Sequence, residues 1–270
     1  MADDPLAACR AKLTRAREHL KRLRTESARF LKTDPYRLVV DFDAQSGWYF
    51  VKARIVEEAP VELSVTVGEF AYECVSALNH AAWQLAGRKR GRVKIESQKL
   101  REQIQFPVAL SRESFKQKAL IKHRHVSKAA VAVINELQPC YRFDALPRAK
   151  MHPLAILKQL ADSDKHRVVA PTWGSIDLGK LMVRWDPSAS EPESQHFPRK
   201  YRTLGNDAKV MKVRFGIGND IANVYVDGDL APEIAFGAGD FLVGPRDLDH
   251  ASGYMGRAID RLATLFPSGS

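Results

Sequence analysis

The stretch YRLVVDFDAQSGWYFVKARIVEEAP (Tyr36–Pro60) alternates apolar and polar residues with a period of two. Leu38, Val40 and Phe42 share one face of the first run, and Tyr49, Val51, Ala53 and Ile55 share one face of the second. Two such runs joined across AQSG read as a β-hairpin, and Pro60 closes it. Helical patterns stand on both sides. This hairpin therefore decides between an all-helical chain and an α+β one.

Before it, residues 5–32 place Leu6, Cys9, Leu13, Ala16, Leu20, Leu23 and Phe30 at spacings of three and four, with Arg and Lys filling the other positions. That is a seam for packing lengthwise on another helix, in this chain or in a partner copy. Pro35 ends it by disfavouring helical geometry at Asp34. After the hairpin, Val67, Phe70, Cys74, Leu78, Ala81 and Leu85 mark a second long helix from Leu63 to about Leu85. Gly87 and Gly91 then predict a loop, IQFPV a short extended piece, and Ser111 the start of a small helix. Ser127 is placed to cap a helix ending at Leu137 before Pro139, and Pro153 suits the first turn of a helix over Met151 to about Asp162.

Beyond Arg167 the pattern changes. RVVAPTWGSI, KLMVRWD, AKVMKVRFGI, NVYVDG and PEIAF are short, β-branched or alternating, and separated by turn residues, which predicts an antiparallel sheet. DPSASEPESQHFPRK (Asp186–Lys200) reads as an exposed loop, and a last helix runs from about Pro245 to Phe266. The fold class expected is α+β: a long-helix bundle with an N-terminal β-hairpin and a C-terminal antiparallel sheet. Residues 1–270 form a single domain on this reading. Its helical part is about 1–166 with the hairpin at 36–57, its β-rich part about 167–240, and its closing helix about 245–266.

The composition, 45% hydrophobic and 27% charged, is that of a globular protein. No apolar run reaches the ~20 residues needed to span a bilayer, and MADDPLAACRAK lacks the apolar core of a secretory signal, so no membrane association is expected. Three widely separated cysteines (Cys9, Cys74 and Cys140) fit neither a disulfide framework nor a CxxC knuckle and point to the reducing cytoplasm. Net charge is +10, and between Arg88 and Arg124 twelve Lys and Arg face three Glu. A segment of this kind attracts polyanions by counterion release, and Arg88, Lys89, Arg90, Arg92 and Lys94 are its candidate nucleic-acid contacts. The same segment also serves as a solubilising loop on the plainer reading. With only Phe106 and Phe115 inside it, the segment itself offers no stacking platform.

Candidate chemistry gathers in two places. In SALNHAAWQL, Asn79 and His80 are strongly polar within an apolar run, and LADSDKHRVV (Leu160–Val169) sets Asp164, His166 and Arg167 between a helix and a strand. Buried polar groups require partners, so Asn79 and His80 are expected within hydrogen-bonding or one-water reach of Asp164, His166 or Arg167. Converged, these five have the parts for metal-independent acid–base cleavage of a phosphodiester. A metal held by His, Asp and His is the less favoured reading, because no second histidine follows His80 at helical spacing. No P-loop, dinucleotide fingerprint or GxSxG elbow occurs, and no cofactor is expected.

LSVTVGEFAYECVSALNHAAWQLA, IQFPVALSRESFKQ, INELQPCY and HPLAILKQLADSDKHRVV together resemble an uncharacterised set of bacterial and phage proteins. Its members share G-[DE]-F-x-x-N-L-R-S-A-L-D-H, then F-P, Q-P-Y and L-x-x-L-x-x-x-D-K-H-R. The match covers about residues 60–170. The R-S-A-L-D-H core is in turn similar to the Arg-x4-His motif of HEPN-type helical ribonucleases, whose Arg and His act on RNA, often across a dimer. Here Val75 stands at the Arg position and Asn79 at the Asp position. The resemblance implies either a ribonuclease using His80, His166 and Arg167, or a degenerate relative that only binds RNA. The alternative is a non-enzymatic interaction protein whose His, Asp and Arg residues form a buried network and whose long helices pair in a homodimer.

Overall fold

The computed structural model describes residues 4–89, 98–143, 145–166, 169–173, 182–185, 193–196, 207–215, 224–227, 234–238 and 241–266. The chain is α+β, and it divides into two compact units: residues 1–24, 64–169 and 245–270 in one, and residues 25–63 and 170–244 in the other.

The first unit is helical. Its elements are α1 (Ala7–Leu31), α2 (Val61–Lys89), α3 (Gln98–Gln103), α4 (Arg112–Gln117), α5 (Ala119–Lys122), α6 (Lys128–Leu137), α7 (Pro139–Arg142), α8 (Leu146–Lys150), α9 (Pro153–His166) and α10 (Pro245–Ala263). The boundary between units falls inside α1, after Arg24, and within the first turn of α2. Leu6 in the turn before α1, and Cys9, Leu13, Ala16, Leu20 and Leu23 on it, are all buried, as the three–four spacing requires. Ion pairs run along the margins of this seam, Lys12–Glu73 at 2.9 Å to α2 and Arg10–Asp260 at 2.7 Å to α10. The small residues Ala71, Ala77, Ala81 and Ala82 are fully buried along α2, where they leave room for neighbouring helices to approach closely. Ser111 and Ser127 cap α4 and α6 as the sequence predicts, accepting hydrogen bonds from Ser114 N and Ala130 N, both at 3.1 Å.

The second unit holds the strands. They are β1 (Tyr36–Asp43), β2 (Trp48–Ile55), β3 (Ala170–Trp173), β4 (Met182–Trp185), β5 (Glu193–His196), β6 (Ala208–Arg214), β7 (Val224–Asp227), β8 (Ile234–Ala238) and β9 (Phe241–Val243). All the pairings are antiparallel. The hairpin β1–β2 turns at Gly47, whose φ of +69° is the left-handed geometry that glycine adopts without steric cost.

Three expectations are corrected here. The hairpin belongs with the C-terminal strands rather than within the helical part, because β2 pairs with β6 in a sheet of order β1-β2-β6-β5. Among the described residues the C-terminal strands are divided over three sheets, β3-β8-β9 and β4-β7 besides the four-stranded one. Part of the expected loop 186–200 is strand β5, a short polar edge strand held by its backbone to β6. Val51, Ala53, Val210, Met211 and Val213 form one core cluster of this unit, with Val183 and Val226 packed against them.

Candidate functional site

The two polar residues of SALNH part company on α2. Successive helical residues point about 100° apart, so one can face inward while the next faces solvent. Asn79 is half-buried and its amide oxygen accepts a hydrogen bond from Phe106 N at 2.9 Å. His80 is exposed and needs no buried partner. Asp164, on the last turn of α9, lies instead against Gly68 of α2, where its carboxylate fills the space of a missing Cβ. Gly68 precedes Asn79 by eleven residues, roughly 16 Å of helix rise. Asn79 and Asp164 thus make two separate contacts, one to Phe106 and one to Gly68. The side chain of His166 and all of Arg167 lie outside the described residues, as do Arg90, Arg92, Lys94 and the side chains of Arg88 and Lys89.

A third contact was not foreseen. Gln138, between α6 and α7, is fully buried. Its Oε1 accepts from Ala109 N at 3.1 Å and its Nε2 donates to Pro107 O at 2.8 Å. Gln138 thus pairs with the extended segment Ile104–Leu110 as a neighbouring strand would, while Asn79 holds the same segment at Phe106. A sheetless extended segment in a helical unit must place its backbone polar groups somewhere, and these side chains take them. The sequence signal was present in QFPV and LQPC, which the resemblance singles out. Of these motifs it is Gln138 that braces the segment.

The braced segment forms one wall of a cleft of about 620 Å³. Val108, Ala109 and Leu110 line it from the segment, Ser114 and Lys118 from α4 and its C-terminal cap, Lys150 from α8, and Ala155, Lys158, Gln159, Asp162 and Ser163 from α9. Lys158 is paired with Asp162 at 2.5 Å, one helical turn on. Neither Lys118 nor Lys150 is in an ion pair among the described residues. Three ammonium groups, one carboxylate, two hydroxyls and a carboxamide beside an apolar wall give the cleft an excess of positive charge. The described lining contains no imidazole and no thiol.

Elsewhere the ionisable groups answer to burial. Burial, and then the nearby charge of Glu69, raise the Asp164 carboxyl above its ordinary range. Glu69 itself lies 3.0 Å from Nδ1 of His19, on α1. Burial lowers the His152 imidazole to about 4, helped by Arg142 and His250, so it is neutral near pH 7. It acts as a helix cap, with Nδ1 accepting from Leu154 N at 3.2 Å. Cys9, Cys74 and Cys140 are free and buried, and desolvation raises all three thiols, which makes them poor nucleophiles. No group of three metal-ligating side chains occurs among the described residues, and none of the described helices is long and apolar enough to cross a membrane.

Searches of family models, curated proteins and solved structures return no match to this chain.

Proposed function

We propose that this chain is an RNA-directed protein that holds a strand by its phosphates and does not cut it, a degenerate counterpart of the helical ribonucleases its motifs resemble. The observation that carries this reading is the position of Lys118. It belongs to the basic segment 88–124 and shares one cleft with Lys150 and Lys158, which come from two other helices. Convergence of this kind concentrates positive potential in a concave site and favours a polyanion. Against cleavage stand Val75 at the Arg position, the exposure of His80, and Asn79, whose amide oxygen is committed to Phe106. The cytoplasm, where RNA and reduced thiols coexist, is the compartment that fits.

The test is binding of a labelled single-stranded RNA, read by anisotropy at several salt concentrations. The affinity is expected to fall steeply with salt, and Lys118→Ser with Lys150→Ser should lessen the log–log slope by about 1.4, roughly 0.7 for each phosphate no longer neutralised. RNA length should be unchanged after prolonged incubation. Cleavage, or a slope untouched by the two substitutions, would overturn the reading.

A second reading, an interaction protein that pairs through its long helices, has its own observation. Val65, Tyr72 and Trp83 are exposed at spacings of seven and eleven along α2, which sets them on one stripe. Sedimentation velocity of the intact chain and of Tyr72→Glu separates the two. A dimer lost on that substitution, with no RNA bound by either, favours the interaction protein.

A further inference from the structure

The two central strands of the four-stranded sheet, β2 and β6, present unlike faces. Val51, Ala53, Met211 and Val213 point into the core. The alternate residues Trp48 and Phe50 on β2, and Lys212 and Arg214 on β6, share the opposite face, with Lys209 joining them past the bulge at Val51/Lys52. Cations stand over both rings. Lys209 Nζ is 3.7 Å from the Phe50 centroid, Lys212 Nζ is 4.0 Å from that of Trp48, and the Arg214 guanidinium is 4.8 Å from it.

The charges on this face divide into two groups. Lys52 is paired with Asp41 at 2.5 Å, Arg54 with Asp207 at 2.9 Å and Arg214 with Glu193 at 2.8 Å. Lys209 and Lys212 are in no ion pair among the described residues; the rings are their neighbours. A cation over a partly exposed ring is a weak contact, and a nucleobase stacked on the same ring is a stronger one. A base arriving at Trp48 or Phe50 would displace the ammonium, which then has a phosphate within reach. Two residues along a strand separate the rings by about 7 Å, the order of one step of an extended nucleotide chain. A duplex keeps its bases stacked on one another and offers only its phosphates, so rings of this kind select single strands.

We infer that this face is a stacking platform for single-stranded RNA, with Trp48 and Phe50 taking successive bases and Lys209 and Lys212 taking the flanking phosphates. The single-strandedness is read from the face itself. The choice of RNA over DNA rests on the function proposed above.

The experiment measures binding of a fluorescent uridine 12-mer to the full chain, with a deoxyuridine 12-mer and an RNA duplex of the same length as comparisons. Trp48→Ala with Phe50→Ala is expected to weaken 12-mer binding about tenfold or more while largely keeping its salt dependence, because the cations remain. Lys209→Ser with Lys212→Ser leaves the core untouched and guards against a ring variant that fails to fold. It should lower the log–log salt slope by about 1.4. Unchanged 12-mer affinity in the lysine pair, or a duplex bound as tightly as the 12-mer, sinks the platform. Equal or tighter binding of the deoxyuridine strand overturns the RNA assignment. Loss of binding with Lys118→Ser and Lys150→Ser alone, the sheet variants binding normally, overturns this inference and leaves the proposed function standing. Absence of binding in the unaltered chain overturns both.

Discussion

The carboxylate of Asp164 occupies the place that a Cβ on residue 68 would need, so a side chain at position 68 of α2 would have to displace it. Glycine inside a helix costs about 1 kcal/mol relative to alanine. In an Asp164→Ala background, Gly68→Ala should recover much of that. With Asp164 present the carboxylate must first be expelled, and the gain should vanish or reverse. A double-mutant cycle by denaturant unfolding is expected to show coupling of about 1 kcal/mol or more, and additivity would mean that the two residues do not meet.

Asp164 also carries a pH signature. Its pKa is raised in the fold, by burial first and by Glu69 second, so folding favours its protonated form. The stability linked to it is fully present below the ordinary carboxyl pKa of about 3.9 and is lost as pH rises through the higher folded value. Asp164→Asn should accordingly stabilise the protein at pH 7 and leave it little changed near pH 3. Melting temperatures of the two proteins across that range check the sign. A catalytic carboxylate would show the same stabilisation together with loss of RNA cleavage, so both should be measured on the same preparation.

Gln138 makes a sharper case, because both of its side-chain hydrogen bonds are to backbone and all of it is buried. Gln138→Ala strands the Ala109 N–H and the Pro107 carbonyl, each at about 1–3 kcal/mol. Gln138→Glu keeps the volume and the acceptor but sets an ionised oxygen against Pro107 O. It should destabilise strongly at pH 7 and less at pH 4, where a protonated carboxyl can donate again. Equal destabilisation by Glu at both pH values would show that the donor to Pro107 is not what matters.

These residues show how far sequence reaches. Serine caps at Ser111 and Ser127, the seam on α1 and the period of two in Tyr36–Ile55 are local signals, and each element stands where its pattern placed it. Sheet membership is not local. β2 meets β6 across about 160 residues of chain, and nothing in AKVMKVR names its neighbour. ESQH has no apolar alternation to betray it, since an edge strand is held by backbone alone. Asn79 was legible as a polar residue in need of a partner, but periodicity cannot say which segment supplies it. The partner is the backbone N–H of Phe106, and a residue's type does not show where its backbone N–H goes. The platform residues Trp48 and Phe50 were hidden in the same way, because Lys209, Lys212 and Arg214 reach them only through the sheet.

His152 provides a test of the helical unit alone. Its imidazole is neutral in the fold, with a pKa lowered from 6.5 to about 4, and its Nδ1 accepts the Leu154 N–H at the start of α9. The stability it contributes is present above pH 6.5 and is lost as pH falls through the interval down to about 4, by roughly 3 kcal/mol in all. Asn supplies a capping acceptor that does not titrate here. The difference in unfolding free energy between the unaltered protein and His152→Asn should therefore shrink across that interval. A difference that stays constant with pH would mean that His152 is protonated as easily in the fold as outside it.

His80 decides between binding and chemistry. It is exposed on α2, and Asp164, one of the three partners expected for it, lies about three turns away at Gly68. An exposed helical histidine can be replaced at little cost, so His80→Ala should change stability by no more than about 0.5 kcal/mol. If the chain binds RNA without cutting it, the same substitution should also leave the RNA intact and the affinity within about twofold, since His80 lines neither the lysine cleft nor the sheet face. A ribonuclease using His80 would behave otherwise: the unaltered protein would shorten the RNA over time, and His80→Ala would slow that by a factor of about 100 or more. Time courses of a 5′-labelled strand, run with both proteins at equal concentration, separate the two outcomes without reference to stability.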